Sequence, residues 1–216
     1  MEQVFTFTHP VEICGKMQGI ITTPTGYDRE KESLPVILFL HGAGERGSNI
    51  EDVKVHGIPK YFSKDPDYKG LRVITLSPQC PNGMVWNQLP YPLMTWIRAA
   101  LKEVGGDENH IAITGISMGG FGTWEMMMTF PKSFCCGAPI CGGGMSWRAD
   151  ALRGKAIRAF HGLDDTVVPF SYSQQMVNAA RAYGADVTLT AFDHVDHDSW
   201  TPTYETTDII EWLVRH

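Results

Sequence analysis

Six short, continuous apolar runs constrain the fold of this chain more than any other feature: residues 35–41 (PVILFLH), 71–77, 110–115, 135–141, 156–161 and 187–192. Each is the length of a strand and lacks apolar–polar alternation, the pattern expected of strands buried on both faces of a parallel sheet. Between the later runs lie segments with helical spacing. Leu93, Ile97, Ala100, Leu101 and Val104 share one face, with Gly105 placed to end the helix. Met118, Phe121, Trp124 and Met128 repeat the pattern ahead of Pro131. Ser171 and Gln174 have the spacing of a capping box for a helix ending at Gly184, and Thr206 or Thr207 could cap a last helix that ends near His216. Residues 4–8 and 13–23 read as an opening antiparallel pair. Strands that alternate with helices imply an α/β fold, a mostly parallel sheet with helices on both faces. No repeat or linker interrupts residues 1–216, so one domain is expected.

Composition narrows the partners. The chain has 216 residues and a formal net charge of −6, which disfavours nucleic acid and acidic membrane surfaces because neither phosphate field would be neutralised. No stretch reaches the length of about 18 apolar residues that a membrane helix needs. The start lacks a basic and then apolar leader pattern, and the five cysteines include no CxxC pair. A cytoplasmic location is the expectation, and Cys135 and Cys136 read as small core residues.

The run at 110–115 is followed by Gly115-Ile116-Ser117-Met118-Gly119, a G-x-S-x-G pattern between a strand and a helix. In that context it reads as a nucleophile elbow, with Ser117 lifted above the sheet and the N–H of Met118 as one oxyanion donor. A serine hydroxyl needs a base. Of the eight histidines, His9, His56 and His216 fall in terminal or polar segments and are expected in solvent. His110 starts a strand at the wrong edge, and His41 and His161 are expected to brace turns. His194 and His197 remain as bases, and Asp164 and Asp165 are the acids between serine and histidine. Ser, then Asp, then His is the triad order of the α/β hydrolases.

The chain resembles α/β-hydrolase serine esterases of the polyhydroxybutyrate-depolymerase-like, feruloyl-esterase-like and phospholipase/carboxylesterase group, whose members are often labelled predicted peptidases. The resemblance runs from about residue 19 to the end. HGAGERG (41–47), SPQCP (77–81) with Trp86, TGISMGGFGTW (114–124), HGLDDTVVP (161–169) and HDSW (197–200) carry it. It implies Asp165 as the acid, His197 as the base and the N–H of Ala43 as the second oxyanion donor. Trp86 and Gln79, on a Pro-rich loop, are candidates for substrate binding. Glu45 and Arg46 are expected to clamp their loop by a salt bridge.

These residues lead to a carboxylic ester hydrolase acting through an acyl-enzyme, with no cofactor. Only residues 142–155 lie where this fold usually carries a cap, so no large cap domain is expected. An open site suits small-molecule or polysaccharide-linked esters with short acyl, acetyl or feruloyl groups. A prolyl-oligopeptidase-like serine peptidase would use the same triad. A dienelactone-type hydrolase would normally carry cysteine at position 117. A binding protein on this scaffold would be expected to have lost a triad member. The paired His194 and His197 among Asp193, Asp196 and Asp198 have ligand chemistry but not the HExxH spacing, and no metal is expected.

Overall fold

A computed structural model describes residues 1–8 and 15–216. The apolar runs form strands β3 (Val36–Leu40), β4 (Ile74–Pro78), β5 (Ile111–Ile116), β6 (Cys136–Ile140), β7 (Ala156–Gly162) and β8 (Asp186–Phe192). β1 (Glu2–Thr8) pairs antiparallel with β2 (Lys16–Thr22), which pairs antiparallel with β4. The expected opening pair is therefore present, although Ile13, Cys14 and the predicted solvent residue His9 lie outside the described residues. The sheet has eight strands in the order β1-β2-β4-β3-β5-β6-β7-β8, parallel from β4 to β8.

Residue alternation in the strands divides the core in two. Val36, Leu38 and Leu40 of β3 face one layer, which holds Leu93, Trp96 and Ile97 of α2 (Pro90–Val104), Trp124 and Met127 of α3 (Met118–Thr129), and Met176 of α4 (Ser171–Ala182). Ile37 and Phe39 face the other, built from Ile58 and Phe62 of α1 (Gly57–Phe62), Tyr204 of α5 (Trp200–Thr206), and Ile209, Ile210 and Leu213 of α6 (Ile209–Arg215). Both faces of the sheet are covered over β3, β4, β5 and β6, whose residues are all buried, which is why their sequences do not alternate. The expectation fails at the edge strand β8, where Val187 is buried but Asp186, Thr188, Thr190 and Ala191 are exposed.

Gly105 ends α2 as expected, its N–H bonded to the Leu101 carbonyl at 2.7 Å. The capping box expected at Ser171 does not form: α4 opens from Phe170 without a side-chain cap. Thr207 Oγ1 does accept from the Ile209 N–H at 3.2 Å, holding the start of α6. Residues 142–155 contain only a 3-10 turn, Ser146–Leu152, so no large cap covers the sheet there. Among the described residues no helix is long and apolar enough to cross a membrane.

Candidate active site

The carboxyl ends of β3, β5, β7 and β8 converge on one cavity, the position at which open α/β sheets hold ligands. Ser117 follows β5 directly, with φ 51° and ψ −116°, a left-handed conformation that a residue with a side chain adopts only under constraint. The constraint is the packing of the turn. A Cβ on Gly119 would overlap the Leu40 carbonyl, so α3 can start against β3 only if that residue is glycine. The Ser117 N–H donates to the Ile140 carbonyl of β6 at 3.0 Å, fixing the elbow from the other side. Met118 opens α3, so its N–H is among those an α-helix leaves without an internal acceptor.

Ser117 Oγ lies 2.9 Å from His197 Nε2, and His197 Nδ1 lies 2.9 Å from Asp165 Oδ2. Asp165 is held on every side. Its Oδ1 accepts from the N–H groups of Val167 at 2.9 Å and Val168 at 2.8 Å, and its side chain is fully buried. Two candidates left open by residue order are thereby separated. Asp164 is 62% exposed and faces His194, itself 96% exposed, at 3.7 Å. Neither reaches Ser117 in this arrangement.

His161 does more than brace its turn, and motif reading missed this. Its Nε2 lies 3.1 Å from Asp165 Oδ2, the same oxygen that meets His197, and 2.9 Å from the Val168 carbonyl. Ser173 Oγ lies 2.7 Å from both His161 Nδ1 and the Gly142 carbonyl, tying this pair to α4. Burial lowers the pKa of His161, which favours the neutral ring. Trp200 sets its ring perpendicular to that of His197 at 5.4 Å and so limits how the imidazole can turn.

His41 braces the loop after β3 from within the core. Its Nδ1 sits 2.6 Å from the Gly42 carbonyl and its Nε2 accepts from the Cys80 N–H at 2.9 Å. Burial is the main cause of a pKa lowered from 6.5 to about 4. Because the unfolded chain takes up this proton first, stability should decline as pH falls from about 6.5 to about 4, by about 3 kcal/mol in all from this group. Urea unfolding across that range should show a steeper loss for the wild type than for His41→Gln. Parallel curves would remove His41 as the cause.

Ala43 begins a 3-10 turn, Ala43–Glu45, and lines the same cavity as Ser117 and His197. The expected Glu45–Arg46 clamp is absent. Arg46 instead donates to the carbonyls of Ala43 at 2.9 Å and Met84 at 3.3 Å, while Glu45 lines the cavity. His56, expected in solvent, also lines it, from its position immediately before α1.

Trp86 and Gln79 do not reach the cavity. Trp86 is fully buried and its Nε1 donates to the His41 carbonyl at 3.0 Å. Gln79 is also buried: its amide donates to the carbonyls of Glu45 at 2.9 Å and Asn49 at 2.8 Å. Both support the loop that carries Ala43, so their place in the sequence near the site was a matter of scaffolding. A second cleft, lined by Asn87, Phe121, Met145 and Tyr172, lies one turn further along α3.

Among the described residues, the potential metal ligands that come together are Cys141, Asp165 and His197, not the pair His194 and His197. They fit a metal poorly. The Asp165 oxygens already receive four donors and both His197 nitrogens have partners. Burial pushes the Cys141 thiol up to about 12, far from the thiolate that a metal requires.

A mostly parallel sheet with this elbow defines an α/β hydrolase. The phospholipase/carboxylesterase family matches residues 91–213, more than half of the chain, and the chain belongs to that family. A thermostable esterase of known structure is 33% identical with a TM-score of 0.84, covering 99% of this chain; the chain spans 62% of that protein. A mutant of the feruloyl esterase module from Clostridium thermocellum, complexed with sinapinate, is 15% identical with a TM-score of 0.72. That match covers 93% of this chain and 83% of the module. An acylaminoacyl peptidase from Pyrococcus horikoshii is 18% identical with a TM-score of 0.68, covering 92% of this chain and 38% of the peptidase. No curated protein sequence matches the chain.

Proposed function

We infer that the protein hydrolyses carboxylic esters with Ser117 as nucleophile, His197 as base and Asp165 as the orienting acid. The observation that carries this reading is the continuous chain of contacts from Ser117 Oγ to His197 and on to Asp165, at 2.9 Å each. In that arrangement His197 Nε2 takes the serine proton as Oγ attacks the ester carbonyl. The carbonyl oxygen becomes an oxyanion, and the N–H groups of Ala43 and Met118 are the donors proposed for it. Collapse of this intermediate expels the alcohol, protonated by His197, and leaves an acyl-serine. Water, deprotonated by the same imidazole, then releases the acid. Asp165 holds Nδ1–H in place, which keeps Nε2 free to accept.

Substrate size follows from the surroundings. The cavity holds about 280 Å³, and nothing larger than a 3-10 turn occupies residues 142–155. That room suits short acyl groups, acetyl or feruloyl, on a small-molecule or polysaccharide alcohol, better than a long lipid chain.

The test combines labelling with a substrate panel. A fluorophosphonate should give one covalent adduct, mapped by peptide mass spectrometry to Ser117. Acetyl, butyryl and feruloyl esters should be cleaved faster than aminoacyl anilides. Preference for the anilides would make the protein a peptidase, and absence of both labelling and turnover would make it a non-catalytic binder.

A further inference from the structure

The elbow that carries Ser117 lies between two spaces on opposite faces of the sheet. The cavity that His197 lines also holds His56 and Trp200, from the side of α1 and α5. The cleft lined by Asn87, Phe121, Met145 and Tyr172 belongs to the side of α3 and α4 and holds about 280 Å³. These sides are the two layers into which the core divides. Two walls of the cleft start at the elbow itself. The Phe121 N–H donates to the Ser117 carbonyl at 3.1 Å, which puts Phe121 one helical turn, about 5.4 Å of rise, along from Ser117. The Ile140 carbonyl that holds the Ser117 N–H ends β6, and the chain from there leads to Gly144 and Met145 in the cleft. A Cβ on Gly143 would stand 2.8 Å from Tyr172 Cβ and 3.3 Å from Phe121 Cε1, so this loop can pass the two rings only as glycine. The rings meet edge to face with centroids 6.1 Å apart, and Tyr172 is 47% exposed.

We propose that this cleft is the acyl subsite and takes an aromatic acyl group, of the arylpropanoyl or arylpropenoyl kind. This rests on the ester-hydrolase reading above. After attack, the reacting carbon bears Ser117 Oγ, the oxyanion, the leaving alcohol oxygen and the acyl chain. His197 Nε2 must reach the alcohol oxygen to protonate it, so the alcohol lies on the His197 side and the acyl chain points away from it. The cleft is on that other side of the elbow, and His197 does not line it. The lining then selects the group. None of the described residues that line the cleft is charged, which suits a neutral chain. Phe121 and Tyr172 offer ring faces and edges to a third ring, and the Met145 thioether is a favourable neighbour for one. Asn87 and Gln175 are exposed, and their amides supply donors and acceptors for a phenolic hydroxyl.

The experiment compares kcat/KM for methyl hydrocinnamate, its cyclohexyl analogue and methyl butanoate. All three share the alcohol and a saturated chain at the carbonyl, so they differ in the group the cleft receives and not in intrinsic reactivity. The wild type should favour the hydrocinnamate over the butanoate by about tenfold or more, the range expected when an apolar group of this size leaves water. It should favour the phenyl over the cyclohexyl ester by about threefold, from ring contacts alone. Phe121→Leu and Tyr172→Leu keep apolar bulk and remove one ring each. Each should pull the phenyl-to-cyclohexyl ratio toward one, and the exposed Tyr172 carries the test if Phe121→Leu does not fold. A wild-type ratio near one between hydrocinnamate and butanoate, or equal losses on all three esters in the variants, overturns the subsite. Equal wild-type rates on the phenyl and cyclohexyl esters overturn the aromatic assignment. A wild type that cleaves none of the three overturns the ester-hydrolase reading, and the subsite with it.

Discussion

Ser117→Ala should lower kcat by about 10⁶ while leaving the thermal midpoint within a few degrees of the wild type. The two halves of this expectation have different origins. Loss of the hydroxyl removes the nucleophile, and the oxyanion donors that remain supply only the residual catalysis of about 10³ over water that such sites keep. Stability is spared because alanine meets the same backbone strain at φ 51° as serine does. The hydroxyl's hydrogen bond is the half-buried one to His197, worth about 1 kcal/mol. The measurement is a progress curve on a chromogenic acetyl ester beside a thermal melt of the same preparation. An Ala variant that keeps even a tenth of the wild-type rate would move the nucleophile elsewhere.

How much of this site could be read from sequence depends on how locally each residue's role is set. The elbow was legible because its chemistry and its backbone are specified within five residues: the strand run ends, glycines permit the turn, and serine sits between them. The proposed acid and base, Asp165 and His197, stood only as members of pairs from residue order, and the family resemblance chose between them. Tertiary contacts explain that choice physically, since the Val167 and Val168 amides and the ring of His161 surround Asp165 and leave Asp164 in solvent. Trp86 and Gln79 were misplaced because a motif near a site in sequence does not say whether its side chains point into the cavity or beneath it. His56 carried no local signal at all. It reaches the cavity because α1 packs Gly57 against Phe39 of β3, a contact between segments that nothing in either one announces.

The choice between the two histidines gives the other large effect. His197→Ala should abolish turnover as completely as Ser117→Ala does, by about 10⁶, because base and nucleophile act as one unit and losing either disables both. The substitution to use at the neighbouring position is His194→Asn rather than alanine. His194 has φ 58°, and asparagine tolerates that conformation better than most residues, so the variant tests the imidazole and not the backbone. Since His194 is 96% exposed and its side chain faces Asp164, at 3.7 Å, His194→Asn should keep most of the activity. The pH dependence makes the comparison sharper. A base must be neutral to accept the serine proton, so kcat/KM rises with pH as that base loses its own. His194→Asn should leave the midpoint of this rise where it is in the wild type, whereas a histidine acting as the base could not be removed without erasing the rise. An inactive His194→Asn beside a His197→Ala that retains the wild-type profile would place the base three residues upstream. It would also require the loop after β8 to reorganise when substrate binds, since it is His197 that now stands at Ser117 Oγ while His194 faces Asp164 in solvent.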